Sequence, residues 1–163
     1  QAKAISIEIQ NERKDIALID AVLSSERFVG ARALLEPGNL KIALLTRADP
    51  AAVGITSIGG LLAPLLDSEP FGLLLELGGN DLRVNAPIAP GYYREVGITN
   101  HRLVNFQETV KIEGPGILAF DGERERVLKP SQEAVLSLSR SGPKVVDVKK
   151  TMHLAAEKGS FKR

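Results

Sequence analysis

The chain has no cysteine, no tryptophan, one methionine and two histidines among its 163 residues. Without cysteine there is no disulfide framework, no thiolate nucleophile and no Cys-type zinc site. His101 and His153 lie far apart in the chain and give little material for a nucleophilic triad. No apolar run approaches the roughly 18 residues a membrane helix needs, and no signal peptide is visible, so a cytoplasmic location away from membranes is expected. A surplus of one charge is also lacking. Twenty-one basic and 20 acidic residues leave a net charge of +1, which gives no electrostatic reason to expect nucleic acid as a partner. No P-loop, no GxGxxG after a strand, no HExxH and no GxSxG occurs. An initiator methionine is missing too. The chain opens at Gln1 and alternates like a strand almost at once (AKAISIEIQ), so a piece of a longer polypeptide is expected.

What is present is ordinary globular material, 44% hydrophobic and 25% charged. One β-rich domain spanning residues 1–163 is expected, large enough for a real core. Residues 4–9 alternate as a strand with one wet face. Residues 15–23 (DIALIDAVL) are nearly all apolar, as in a strand buried on both faces, with Asp20 inside. A carboxylate there needs a partner or a ligand, or else it faces solvent. Residues 28–35 continue apolar up to the turn at 36–39, and residues 41–45 read as a short buried strand. That strand delivers Thr46 and then Asp49-Pro50, which fit an N-cap and a first helical position, so a helix is expected from Pro50. A helix N-terminus after a strand suits a phosphate or carboxylate. Gly59-Gly60 either end that helix or let a backbone or a ligand come close.

Residues 71–77 read as a buried strand closed by a Gly-Gly-Asn-Asp turn, and 82–90 as a separate extended run with two prolines. Residues 91–104 suit strand with a loop, and 108–113 and 134–139 alternate. Asp147 suits an N-cap for a helix over 148–158, with Gly159 as its stop. Roughly eight to ten strands against two helices, with no regular β-α alternation, point to an α+β, mainly β domain built as a two-layer sandwich.

The clearest local motif is residues 114–128, GPGILAFDGERERVL. Asp121-Gly122 between two extended runs is a type I′ hairpin signal. It sets the carboxylates of Asp121 and Glu123 near one strand end. Asp20, Asp49, Asp121 and Glu123 are the acids a divalent metal would use, although nothing in their spacing brings them together.

The order of these motifs resembles the C-terminal domain of the ATP-NAD kinase superfamily, nearest to the kinase-like branch named for acetoin catabolism, protein X. Residues 17–22 (ALIDAV) look like the ALNEVV strand of NAD kinases. Residues 46–60 (TRADPAAVGITSIGG) look like TPTGSTAYSLSAGG, with Gly59 and Gly60 at the terminal glycines. Residues 85–90 (NAPIAP) look like LTPICPH, and Phe120-Asp121-Gly122 like the DGQ hairpin or, with Glu123, the DGE of related lipid kinases. The resemblance implies a two-domain kinase whose N-terminal domain, absent from this chain, handles ATP through GGDGT with a divalent metal. The β-rich domain would bind the acceptor, a nucleotide such as NAD or another small hydroxyl-bearing molecule, and would form homo-oligomer contacts. By the same resemblance Glu123 is the general base and Asp121 its polar neighbour, while Asp20, Thr46, Asp49, Gly59, Gly60 and Gly122 line the nucleotide site. Two departures stand out. Ile19 replaces the dinucleotide-contacting Asn, and DPAAVG replaces TGSTAY. Loss of polar contacts of that kind removes specificity for the group they recognised. The alternative reading is a non-catalytic ligand-binding or oligomerisation module derived from the kinase fold.

Overall fold

Ten strands, all paired antiparallel, form two sheets in the computed structural model, which describes residues 1–25 and 36–162. The strands are β1 (Ala4–Ile9), β2 (Asp15–Ala17), β3 (Asp20–Ser24), β4 (Leu40–Leu45), β5 (Phe71–Ala89), β6 (Tyr92–Asn105), β7 (Thr109–Glu113), β8 (Gly116–Phe120), β9 (Arg124–Leu128) and β10 (Glu133–Ser139). Helices α1 (Ile55–Leu62) and α2 (Val148–Glu157) complete the described elements, with a 3₁₀ turn at Pro37–Asn39. One sheet runs β2-β1-β10-β7 and the other β6-β5-β4-β3-β8-β9. The mainly β, two-sheet α+β architecture expected from the sequence is present.

Strand chemistry explains the layers. In β1 and β10 every second residue (Ile5, Ile7, Ile9; Ala134, Leu136, Leu138) enters the core between the sheets, so these strands alternate. The central strands of the six-stranded sheet have a core on each face and read as continuous apolar runs. Ala21, Leu23, Leu44 and Leu74 point into the inter-sheet core, where Phe120 is fully buried. Val22, Leu45, Leu73 and Leu75 point into a second core under α1.

Several boundaries differ from the sequence-based expectation. The apolar run 15–23 is two strands, because the chain crosses from one sheet to the other at Leu18-Ile19. The helix expected from Pro50 begins at Ile55 with Gly54 as N-cap residue. Asp49 instead accepts the Ala51 N–H at 2.8 Å and closes a turn before the helix. Residues 71–77 and 82–90 are one bent strand. Its distal half supplies Ala86 and Ile88, and the paired part of β6 supplies Val96 and Ile98, to the second core under α1. The bend falls where a Cβ on Gly97 would lie 1.9 Å from the Gly79 carbonyl oxygen, a contact only glycine permits. Residues 92–104 carry no separate loop and belong to the continuous strand β6, while Gly91 lies in the turn that leads into it. The expectation for residues 28–35 lies outside the described residues. At the C-terminus, Asp147 accepts the Lys150 N–H at 2.9 Å and caps α2 as expected.

Candidate functional site

The start of β3 and the ends of β4 and β8 meet at one end of the six-stranded sheet. This brings Asp20, Thr46 and Asp121 together from three distant segments. The Asp121-Gly122 turn forms as expected, with φ of 55° and 68° and the Glu123 N–H on the Phe120 carbonyl at 3.3 Å.

The Asp121 carboxylate is occupied by backbone. It accepts the Leu18 N–H at 2.9 and 3.0 Å and the Ile19 N–H at 2.8 Å. Arg124 pairs with the same carboxylate at 3.2 Å, with Asp15, and with the Ile16 carbonyl at 2.6 Å. Arg126 adds a bond to Asp15 at 2.9 Å. Both guanidinium groups stack on Phe120, 4.8 and 5.8 Å from its ring centre. The charged strand β9 is therefore a latch between the sheets. Thr46, buried, donates its hydroxyl to the Leu18 carbonyl at 2.8 Å and the Ile19 carbonyl at 3.2 Å.

Asp20 has a different environment. Burial and the neighbouring Asp121 charge raise its pKa to about 6, against a smaller opposing effect of the Asp121 backbone N–H. Among the described residues its carboxylate has no cationic partner. Such a carboxyl holds or releases a proton near neutral pH. Glu123 is exposed at the hairpin tip, and among the described residues its carboxylate has no hydrogen bond or ion pair.

The other sequence candidates lie elsewhere. Gly59 and Gly60 sit inside α1, against Leu45, Leu73 and Ala48 and against the Asp49-Pro50 backbone. A Cβ on Gly60 would lie 2.2 Å from the Asp49 carbonyl carbon, so protein fills the space a ligand would need there. Asp49 is exposed. Among the described residues no three His, Asp or Glu side chains converge as a metal site.

Sequence reasoning missed Lys3 and Arg47. Lys3 is fully buried and donates to the Leu66 and Phe71 carbonyls at 2.9 and 2.8 Å, and burial lowers its pKa against the opposing pull of Asp67. A lysine just before an alternating strand carries no signal of this. Arg47 follows Thr46 and lines a groove of about 350 Å³ with Leu18, Ile19, Asp67 and Val145.

Fold and site together define a two-sheet, α-capped antiparallel domain whose distinctive end is built from the strand-to-strand crossing at Leu18-Ile19. The chain belongs to the family of the acetoin catabolism protein X C-terminal domain, whose model matches residues 3–141. It is 38% identical over 147 residues to the acetoin catabolism protein X of Cupriavidus necator, covering 88% of this chain and 41% of that protein. The chain thus spans about two fifths of the length of that curated relative. No solved structure matches it. Helix α2 lies beyond the family match, and no helix among the described residues is long and apolar enough to cross a membrane.

Proposed function

We propose that this domain is the acceptor-binding half of a kinase-like protein, and that the sheet end carrying Asp20 receives a small hydroxyl-bearing molecule. The relative is named for the catabolism of acetoin, which carries such a hydroxyl. One observation carries the reading. The segments at 17–22, at Thr46 and at 120–123, scattered in the chain, converge on one sheet end around a carboxyl poised near neutral pH. In the proposed step the acceptor's O–H proton passes to Asp20 as its oxygen bonds to the terminal phosphorus of ATP. The bond from that phosphorus to the bridging oxygen breaks and ADP leaves. ATP and its divalent metal would be held by a GGDGT-bearing domain outside this chain, and NAD is the acceptor the kinase resemblance would add. The same resemblance assigns homo-oligomer contacts to this domain.

Asp20 suits the base better than Asp121, whose oxygens are taken by backbone and Arg124. Glu123 is the base the resemblance implies. ATP turnover by the full-length gene product, with acetoin, small hydroxy acids and NAD as acceptors, decides between them. Asp20→Asn is expected to lower kcat roughly 10²- to 10⁴-fold, as loss of a general base does. The same loss in Glu123→Gln, with Asp20→Asn active, would move the role to Glu123. A second reading is a ligand-binding or oligomerisation module without chemistry. The commitment of Asp121 to the fold and the solvation of Glu123 favour it. Binding of an acceptor or nucleotide without turnover for any acceptor would select that reading.

A further inference from the structure

The groove beside Thr46 has one cationic side chain, and it is unclaimed. Arg47 is exposed, and among the described residues no carboxylate lies within 4 Å of its guanidinium and no hydrogen-bond acceptor meets it. The contrast with the other described arginines is sharp. Arg83, Arg102, Arg124, Arg126 and Arg140 each pair with a carboxylate, and Arg94 lies over the Tyr92 ring. Among the described residues only Arg13 is similarly unpaired. Its own groove holds Asp15, which already neutralises the neighbouring Arg126.

The remaining groove lining narrows the ligand. Thr46 turns its hydroxyl into the Leu18 and Ile19 carbonyls and has no proton to offer a ligand. The Asp67 carboxylate lies 3.6 Å from Arg140, which also holds the Asp67 and Ser68 carbonyls at 2.7 and 3.1 Å. What is left is a guanidinium fork beside the aliphatic side chains of Leu18, Ile19 and Val145, with Gln1 and Ala2 completing the lining. A guanidinium matches two oxygens of one carboxylate or phosphate, while aliphatic walls cover a short carbon skeleton. The volume of about 350 Å³ is at the bottom of the range of about 300–1,000 Å³ for ligand pockets, which suits a small molecule better than a dinucleotide.

We propose that Arg47 forms an oxyanion subsite, and that the ligand of this groove is a small organic anion, a carboxylate or a phosphate monoester on a short apolar skeleton. This deepens the acceptor reading and rests on the groove belonging to the acceptor. It replaces a neutral acceptor or a dinucleotide by a charged small molecule.

Titration of the 163-residue chain by calorimetry and amide chemical shifts tests it, with lactate, glycerol 3-phosphate, acetoin and NAD as probes. At least one of lactate and glycerol 3-phosphate is expected to bind and to shift the Leu18 and Ile19 amides. Arg47→Gln should weaken that binding roughly ten- to a hundredfold, the range of a lost charge-assisted hydrogen bond. Arg13→Gln should leave it unchanged. The tighter of the two anions identifies the group as carboxylate or phosphate. The proposal fails if neither anion binds, if Arg47→Gln has no effect, if Arg13→Gln weakens binding equally, or if NAD binds more tightly than both small anions. Its failure is separable from that of the kinase reading. Anion binding at Arg47 without ATP turnover in the full-length protein removes the kinase and leaves the subsite. Turnover of a neutral acceptor that ignores Arg47→Gln removes the subsite and leaves the kinase.

Discussion

Thr46 and Asp121 hold the same dipeptide from opposite sides. The Asp121 carboxylate accepts from the N–H groups of Leu18 and Ile19, and the Thr46 hydroxyl donates to their carbonyls. The dipeptide bridges two sheets, and beyond the Thr46 N–H on the Ile19 carbonyl at 2.9 Å its peptide groups are met by these two side chains rather than by a strand. Removing Asp121 unpairs both N–H groups and removing the Thr46 hydroxyl unpairs the Leu18 carbonyl, at about 1–3 kcal/mol for each substitution. Thr46→Val and Asp121→Ala are expected to lower the urea midpoint by that amount with an unchanged slope. Thr46→Ser should restore most of the loss. A wild-type midpoint in Thr46→Val would show that the hydroxyl contributes nothing.

Asp20 gives a pH dependence of definite sign. Its pKa is about 6 in the folded chain against 3.8 as the ordinary value, with burial the main cause and Asp121 the second. The folded state therefore holds the Asp20 proton more tightly than the unfolded state. The stabilising contribution is complete below about pH 4 and is lost as pH rises through about 6, with an upper bound of roughly 3 kcal/mol. Asp20→Asn should be more stable than wild type at pH 7, with a flatter stability profile between pH 4 and 6. If Asp20 is also the acceptor's base, the same variant gains stability while losing turnover, the trade expected of a site built against the fold. Equal stability of the two proteins at pH 7 would refute the shift.

Much of this was readable from residue order. Strands buried on both faces announced themselves as unbroken apolar runs, and the Asp121-Gly122 turn by its φ requirement. The cap at Asp147 was equally local. The misreadings had a common physical origin. Asp49-Pro50 carries a good helix-start signal, yet the same Asp side chain satisfies a turn as readily as a helix. Tertiary packing then moved the helix start to Ile55. The break at Leu18-Ile19 was hidden because its peptide partners come from residues 46 and 121. Of the candidate site, Asp20 was visible as an acid in an apolar run. Arg47 was not, since its meaning lies in the partners it lacks.

Gly60 is a close-approach residue. A Cβ there would lie 2.2 Å from the Asp49 carbonyl carbon and 2.3 Å from the Pro50 nitrogen, both backbone atoms that cannot swing aside. The helix-propensity gain of alanine, up to about 1 kcal/mol, is outweighed by overpacking of about 1–3 kcal/mol or more. Gly60→Ala should therefore lower the thermal midpoint. Gly38→Ala, with no atom within 4 Å of the added carbon, should leave it unchanged or slightly raised. A Gly60→Ala variant as stable as wild type would mean that α1 and the 49–50 segment can separate at no cost.

Lys3 and Arg140 restrain one loop through its own carbonyls. Lys3 holds those of Leu66 and Phe71, and Arg140 those of Asp67 and Ser68. The loop brings Asp67 to the wall of the Arg47 groove, so the two cations shape that wall without touching a ligand. Lys3→Met keeps the aliphatic stem but removes both donors, and is expected to destabilise by about 1–3 kcal/mol. The effect should be local first. Amide exchange should quicken across residues 66–71, while β1 and β10 keep their protection, because the inter-sheet core that holds them contains Ile5, Ile7 and Leu136 and not Lys3. A uniform rise in exchange over both sheets would instead make Lys3 part of the global folding unit.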